Sequence, residues 1–312
     1  MTAYVIRRLW QMIPTLAGVI LLIFILFNWV GGDPAHVLAG KISNPEQIEN
    51  IRKQLGVDQP YWYQLWVFVK QVFTFDFGRS WSTNEEVSRI LVTRVGPTLT
   101  IMVPVLVIET ILAVTFAVMV AYVRGTVIDR GIMTVCTTVM SISFLVYIIF
   151  FQWLFGFILG WFPVQGWSES FWRNLTNYAP LPIMLAVAVG LAPSLRLYRS
   201  FFLDEINQDY VRTARAKGVP EKVVMMKHVM RNALIPILTN IGIALPGVFV
   251  GSFLLEVFFS IPGLGREIIT AVNRSDFPVI KAVTVYLAVL TMLVNLMVDV
   301  MYKLVDPRVS FK

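Results

Sequence analysis

A chain of 312 residues with 57% apolar and only 14% charged residues, and a mean hydropathy of +0.70, carries far less charge than the roughly 25% of a soluble domain. That imbalance excludes a single water-soluble core. The net charge of +7 is scattered between apolar runs and therefore reads as a topology signal rather than a nucleic-acid face, while the one cysteine, Cys136, excludes a disulfide framework or Cys/His metal spacing and leaves the redox compartment open.

In chain order, Arg7 and Arg8 precede the apolar run Leu9–Val30. The run is too long for the apolar part of a signal peptide and lacks a small-residue cleavage site after it, so an uncleaved first span is predicted. From Gly31 to about Thr98 the composition changes: Trp62, Trp66, Phe73, Phe75, Phe77 and Trp81 are mixed with charges. Within this excursion Asn44–Leu55 predicts a short helix, with Ser43 as candidate cap, Pro45 in the first turn, and Glu46 and Glu49 early.

Five further stretches follow: Leu99–Val123, Ile132–Leu159, Leu181–Leu197, Ala233–Phe259 and Val279–Val300. Each approximates the ~20 apolar residues that cross a hydrocarbon core as a helix. Helix is required because lipid satisfies no backbone donor, and a barrel would need alternating segments of about ten residues. Pro14, Pro104, Pro193, Pro236 and Pro246 fall in or beside these spans, which membrane helices tolerate. The fold expected is an all-α integral membrane protein with six transmembrane helices.

With the N-terminus inside, fifteen Lys and Arg lie on inner segments, eight of them between Arg196 and Arg231, against four outside: Arg173, Arg266, Arg274 and Lys281. The long segment after the first span is discounted, since long loops translocate largely regardless of charge. Both termini are therefore expected in the cytoplasm.

Polar residues within spans are costly and so are candidates for a transport path. Glu109 lies mid-way along the second span, Glu256 near the outer end of the fifth, and Asp299 near the inner end of the sixth. For Glu109, a pore-facing role and a carboxyl bonded to a neighbouring helix are both open. Asn240 and Asn295 suit interhelical hydrogen bonds as well as a path.

The inner excursion, about 198–232, is the most patterned. Leu203–Gly218 reads LDEINQDYVRTARAKG and Val219–Pro236 reads VPEKVVMMKHVMRNALIP. This predicts helix, break, helix, with Tyr210, Val211 and Ala214 at helical spacing, Gly218 as the stop, and Arg215 and Lys217 favourable at the negative helix end. Pro220 and Glu221 open the second helix, and Val223, Met226 and Met230 form its expected apolar stripe. On residue pattern alone, an amphipathic loop resting on a membrane surface fits too.

The segment Asp209–Gly218, DYVRTARAKG, resembles the EAA loop of ABC importer permeases in its dipeptide/oligopeptide/nickel branch. The likeness extends along nearly the whole chain: RRL and Pro14 at the start, GDPA at Gly32–Ala35, LGVDQP at Leu55–Pro60, DFGRS at Asp76–Ser80, LGWFPVQG at Leu159–Gly166, IPGLGR at Ile261–Arg266, DFPVI at Asp276–Ile280 and DPRV at Asp306–Val309. Arg212 and Thr213 stand where the general motif has Glu-Ala, as is usual for the peptide branch. SISF at Ser141–Phe144 lacks the proline often found there, leaving a bend in the third span open.

The resemblance implies a type I ABC importer permease fold in a bacterial or archaeal inner membrane. Residues 1–98 would be the first span plus an extracytoplasmic segment, and 99–312 the five-helix permease core. It implies a coupling helix that docks on a cytoplasmic ATPase, with Asp209, Tyr210, Arg212, Thr213, Ala214, Arg215, Ala216, Lys217 and Gly218 as the coupling residues. Small Ala214, Ala216 and Gly218 would allow close approach, and Arg212, Arg215 and Lys217 would face acidic groups of the partner. The implied assembly is a second homologous permease in a heterodimer, two ABC ATPases holding ATP and Mg, an extracytoplasmic substrate-binding protein and membrane lipid, with no cofactor on this chain and no nucleic acid. Peptides are the substrates the branch favours, with nickel chelates or glutathione-like solutes as alternatives.

A phosphate loop of the form GxxxxGK[ST] occurs nowhere, so ATP would be hydrolysed by another chain. His36 and His228 are isolated and outside any HExxH pattern, and no GxSxG element supports an enzyme. A self-sufficient secondary transporter would predict inverted repeats; none relates 1–156 to 157–312, and that class gives no reason for DYVRTARAKG.

Overall fold

The computed structural model describes residues 2–30, 35 and 44–305, which form helices and connecting turns. Ser43, His36, the Gly32–Pro34 part of GDPA and DPRV at Asp306–Val309 lie outside the described residues. The chain forms two compact units. One joins the described residues up to Gly96 with those from Pro262 on; the other is Pro97–Ile261.

In the first unit, α1 (Thr2–Ile25) continues as a π turn over Leu26–Val30. Helix α2 (Pro45–Leu55) has Asn44, not the adjacent serine, at its N-cap and Pro45 in its first turn, and it ends on Gly56 in the left-handed region. Next come α3 (Tyr61–Thr74) and the start of α4 (Val87–Tyr122); the unit closes with α11 (Leu264–Asn273) and α12 (Phe277–Val305). Ile20, Ile23, Phe68, Val72, Ile90, Leu264, Val279 and Val283 make its core.

The second unit holds the rest of α4 together with α5 (Val127–Ser141), α6 (Phe144–Phe151), α7 (Pro180–Ile206), α8 (Asp209–Ala216), α9 (Met230–Val250) and α10 (Phe253–Phe258). Ala113, Ala117 and Ala121 repeat every four residues along α4 and are buried, the small-residue seam that lets membrane helices approach closely. Towards the other end Ile101, Ile148, Leu181, Leu185, Leu255 and Ile261 form a second core.

Five helical stretches are long and apolar enough to span a membrane: Ile6–Asn28, Val87–Tyr122, Pro180–Ile206, Glu221–Phe258 and Phe277–Val300. The sixth, predicted as continuous over Ile132–Leu159, is instead a bent pair, Val127–Ser141 and Phe144–Ile158, meeting at 93°. The bend needs no proline. Ile142 and Ser143 are extended, the Ser141 and Thr137 hydroxyls donate to carbonyls four residues back, and the Tyr147 hydroxyl donates to the Val139 carbonyl at 3.0 Å. Side-chain hydroxyls thereby replace part of the broken ladder, as they can in a membrane helix. Pro14, Pro104, Pro193, Pro236 and Pro246 all sit inside unbroken helices.

The fifth span also departs from its expected course. It runs back without interruption into the inner loop, and near its far end it breaks at Gly251 (φ +74°, ψ −175°), a conformation open essentially to glycine alone. A Cβ there would strike Glu256 Oε1 and approach Thr98 Cγ2 to 2.7 Å.

Candidate functional site

Helix α7 ends at Ile206, so the expected single helix over Leu203–Gly218 is two. Asn207 closes α7 and donates through Nδ2 to the Leu203 carbonyl; Gln208, extended at φ −73°, ψ 152°, opens α8. Asp209 occupies the first turn of α8, where a carboxylate suits the helix dipole. Gly218, at φ +75°, stops the helix with the Gly218 N–H on the Arg215 carbonyl and the Val219 N–H on the Ala214 carbonyl, as expected of a glycine C-terminal stop.

The turn between the two loop helices is held from within. Arg215 donates from Nε and Nη2 to the two carboxylate oxygens of Glu221 at 2.9 and 2.6 Å. This bidentate geometry raises the Arg215 pKa above the ordinary value and leaves that guanidinium engaged by its own chain. Tyr210 donates to Glu205; burial first, and then that bond, push the phenol up to about 12.

The face of α8 is divided. Val211 is fully buried and Ala214 is 7% exposed, both within the cluster formed by Phe202, Ile206, Val224, Met225 and Val229. Asp209, Tyr210, Arg212, Thr213, Ala216, Lys217 and Gly218 are exposed. Ala214, expected to offer a small surface to a partner, thus faces the chain's own core. Arg212 and Asp209 form an exposed pair at 3.4 Å, of a kind that contributes little.

After Pro220 the loop's second helix does not bury the predicted stripe. Val223 and Met226 are exposed and Met230 is half-buried; Val224, Met225 and Val229 are buried instead. The cause is the π turn over Val224–Val229, whose i→i+5 spacing rotates the side chains against the 3.6-residue pattern. Both faces of VVMMKHVM are apolar enough to pack, so only the attachment to α7 and α8 chooses between them.

Sequence reasoning passes over the joint behind this loop. Asp129, 4% exposed, takes Nε and Nη2 of Arg199 at 2.8 and 2.7 Å and also the Gly125 N–H. Thr126 caps α5 through the Asp129 N–H, and Arg124 donates to Asn207 at the break between α7 and α8. In the sequence Arg199 reads only as a topology charge. The available signal is an acidic residue, Asp129, in a basic inner segment beside the start of a span.

The polar residues of the spans fall into both units. In the second, Glu109 accepts from the Ser194 hydroxyl at 2.6 Å, with its carboxylate against Gly190. Asn240 accepts from the Tyr198 hydroxyl at 3.3 Å, and Glu256, 2% exposed, accepts from Thr98 at 2.8 Å. Glu109 and Asn240 are thereby tied to the same helix, α7, one turn apart at Ser194 and Tyr198. In the first unit, Asp299 pairs with Arg8 at 2.9 Å, and Asn295 lines a small cavity of about 140 Å³ beside them.

Two motifs that stand far apart in the sequence meet in the first unit. Asp276 of DFPVI is 2% exposed and accepts from Ser80 Oγ of DFGRS, from Ser82 Oγ at 2.8 Å, and from the Trp81 and Ser82 backbone N–H groups at 3.1 and 3.2 Å. Ser80 in turn accepts from the Thr83 hydroxyl and N–H.

Residues 113–311 match the family model described as "Binding-protein-dependent transport system inner membrane component", and residues 1–102 match its N-terminal counterpart. A glutathione transport system permease protein of Shigella flexneri is 35% identical over 312 residues, covering all of both chains. One from Escherichia coli K12 is 36% identical over 313 residues, and a candidate peptide transport system permease protein of Brucella abortus is 35% identical over 317, again with full coverage of each.

Proposed function

From the premise that this chain belongs to the family of binding-protein-dependent transport system inner membrane components, we propose that it carries short peptides and that the exposed face of α8 is its dock for an ATPase subunit. The chain is a multi-pass inner-membrane permease of an ATP-driven, binding-protein-dependent importer and is not itself an enzyme. Peptide transport is supported by the relatives' own solutes: glutathione is itself a short peptide, so glutathione and peptide permeases share a compact solute with amide bonds and free carboxylates.

The coupling proposal is carried by one observation: an eight-residue helix whose inner face is continuous with the packing of the spans and whose outer face is exposed among the described residues. Force on Arg212, Thr213, Ala216 or Lys217 would pass through Val211 and Ala214 into α7 and α9, which carry Ser194, Tyr198 and Asn240. Arg215, closed on Glu221, stiffens the turn, while Arg212 and Lys217 are the cations left to meet an acidic groove. A second homologous permease, two ATPases holding ATP and Mg, and an external binding protein complete the proposed assembly. Glu109, Asn240, Glu256 and Asp299 would be the helix-to-helix ties that reorganise when the path opens, with Asn295 in the cavity beside Asp299.

The test is Ala216→Glu, which adds bulk and charge on the outer face only. The variant is expected to insert and fold normally while losing ATPase copurification in mild detergent and peptide-stimulated ATP hydrolysis. Normal ATPase attachment would remove α8 as the dock. Uptake of labelled di- and tripeptides by cells carrying the intact system tests the substrate, and failure of every short peptide to compete would overturn that part.

A further inference from the structure

The first unit contains a cavity of about 670 Å³, within the ~300–1,000 Å³ of sites that hold small ligands. Its wall is built from the end of α1 (Phe24, Phe27, Asn28), α3, the DFGRS turn and the first turns of α12. Among the described residues three cations line it, Lys53, Arg79 and Lys281, and no carboxylate does.

The three cations are not equivalent. Lys53 is paired with Glu49 at 3.2 Å, and Arg79 donates to the Asn84 carbonyl at 3.1 Å. Lys281 sits one turn inside an apolar span, half-buried, with Nζ 5.4 Å from the Phe27 ring centre and 5.6 Å from that of Phe68. Among the described residues no carboxylate reaches it. The rings shield the ammonium from water without neutralising it, and an intramembrane cation held in this way calls for an anion.

On the orientation set by the basic residues, the end of α1 and the start of α12 lie at the outer membrane surface. The helix beside them, α3, leaves Tyr61, Trp62, Trp66 and Phe73 largely exposed, the residue types that settle at the headgroup level. The cavity therefore combines an ammonium, Lys281, that no carboxylate of the described residues meets, amide groups of Gln59 and Gln71, and an aromatic wall at the depth of lipid headgroups.

We propose that this cavity binds the phosphate of an anionic phospholipid from the outer leaflet, with Lys281 as its principal contact and Arg79 and Lys53 at the rim. The lipid would tie α1, α3 and α12 together from outside, a role separate from translocation and independent of which solute is carried.

The intact importer purified in mild detergent supplies the test. After exchange into nanodiscs of phosphatidylglycerol mixed with phosphatidylcholine and re-extraction, retained lipid is counted by native mass spectrometry. Phosphatidylglycerol is expected to be retained in preference to phosphatidylcholine and to fall on the order of tenfold in Lys281→Met, the scale of a charge-assisted contact, with Lys281→Arg restoring it. If Lys281→Met does not assemble, the rim variant Arg79→Gln is read instead, with a loss of about fivefold expected. Equal retention by variant and wild type, or equal retention of the two lipids, overturns the site. So does Lys281-dependent binding of inorganic phosphate in lipid-free detergent at matching strength, which would mean a free-anion site. Displacement of the lipid by a short peptide would assign the cavity to substrate and likewise overturn the proposal.

Discussion

The outer joint around Asp276 and the inner turn around Gly218 both rest on a carboxylate, yet they are built for opposite behaviour. At the outer joint one carboxylate, itself only 2% exposed, collects four donors from a turn almost two hundred positions away in the chain, the Ser80 hydroxyl among them buried with it. At the inner turn Glu221 meets Arg215 only six residues away, with the two side chains 41% and 34% exposed. Solvent can replace much of what that pair supplies. The first joint fixes a geometry; the second shapes a surface that has to move against a partner.

The sharpest way to break this contrast is Asp276→Ala. Four donors, the Ser80 hydroxyl buried among them, would lose their acceptor at once, at a cost of about 3 kcal/mol. Thermal unfolding of the purified protein should show a larger loss of stability for this substitution than for any change at the inner turn, and an unchanged melting temperature would mean the outer joint is not the fixed point described. Next comes Ala214→Glu, which forces bulk and a carboxylate into the cluster of Val211, Val224 and Met225; a loss of about 2 kcal/mol is expected. Its comparison with Ala216→Glu separates the two faces of α8, since the latter should leave the melting temperature in place while ATPase attachment disappears.

Smaller effects sharpen the description of the turn. Gly218→Ala has open space for its methyl but must hold φ near +75°, so about 1 kcal/mol of destabilisation is expected from backbone strain alone. Gly218→Asn, which tolerates that conformation, should recover most of it. Arg215→Ala is expected to cost only about 0.5 kcal/mol, and less in high salt. If Arg215→Ala cost as much as Asp276→Ala, the inner turn would be a fixed joint too.

Much of this is legible without coordinates. Five of the six spans, the proline tolerance, the helix at Pro45–Leu55 and the helix-stop at Gly218 follow from local composition. The inner loop is recognisable as a unit because its glycine, its proline and its charges lie close together in sequence. Three details of it are not: the break at Asn207–Gln208, the inward turn of Ala214, and the register of Val224–Val229. Each depends on which of two apolar faces the rest of the second unit covers, and VVMMKHVM has apolar residues on both.

By itself, the sequence determined that this protein spans a membrane several times and where it bends away from the lipid into a long polar loop, because lipid acts on each segment separately and rewards hydropathy wherever it occurs. Only the tertiary structure decided that the third span turns through 93° without proline, that Arg199 closes on Asp129, and that Asp276 belongs to the serines of a distant turn. Those are contacts between segments. Their free energy arises only when both partners are desolvated together, and nothing in the local pattern around either partner records the other.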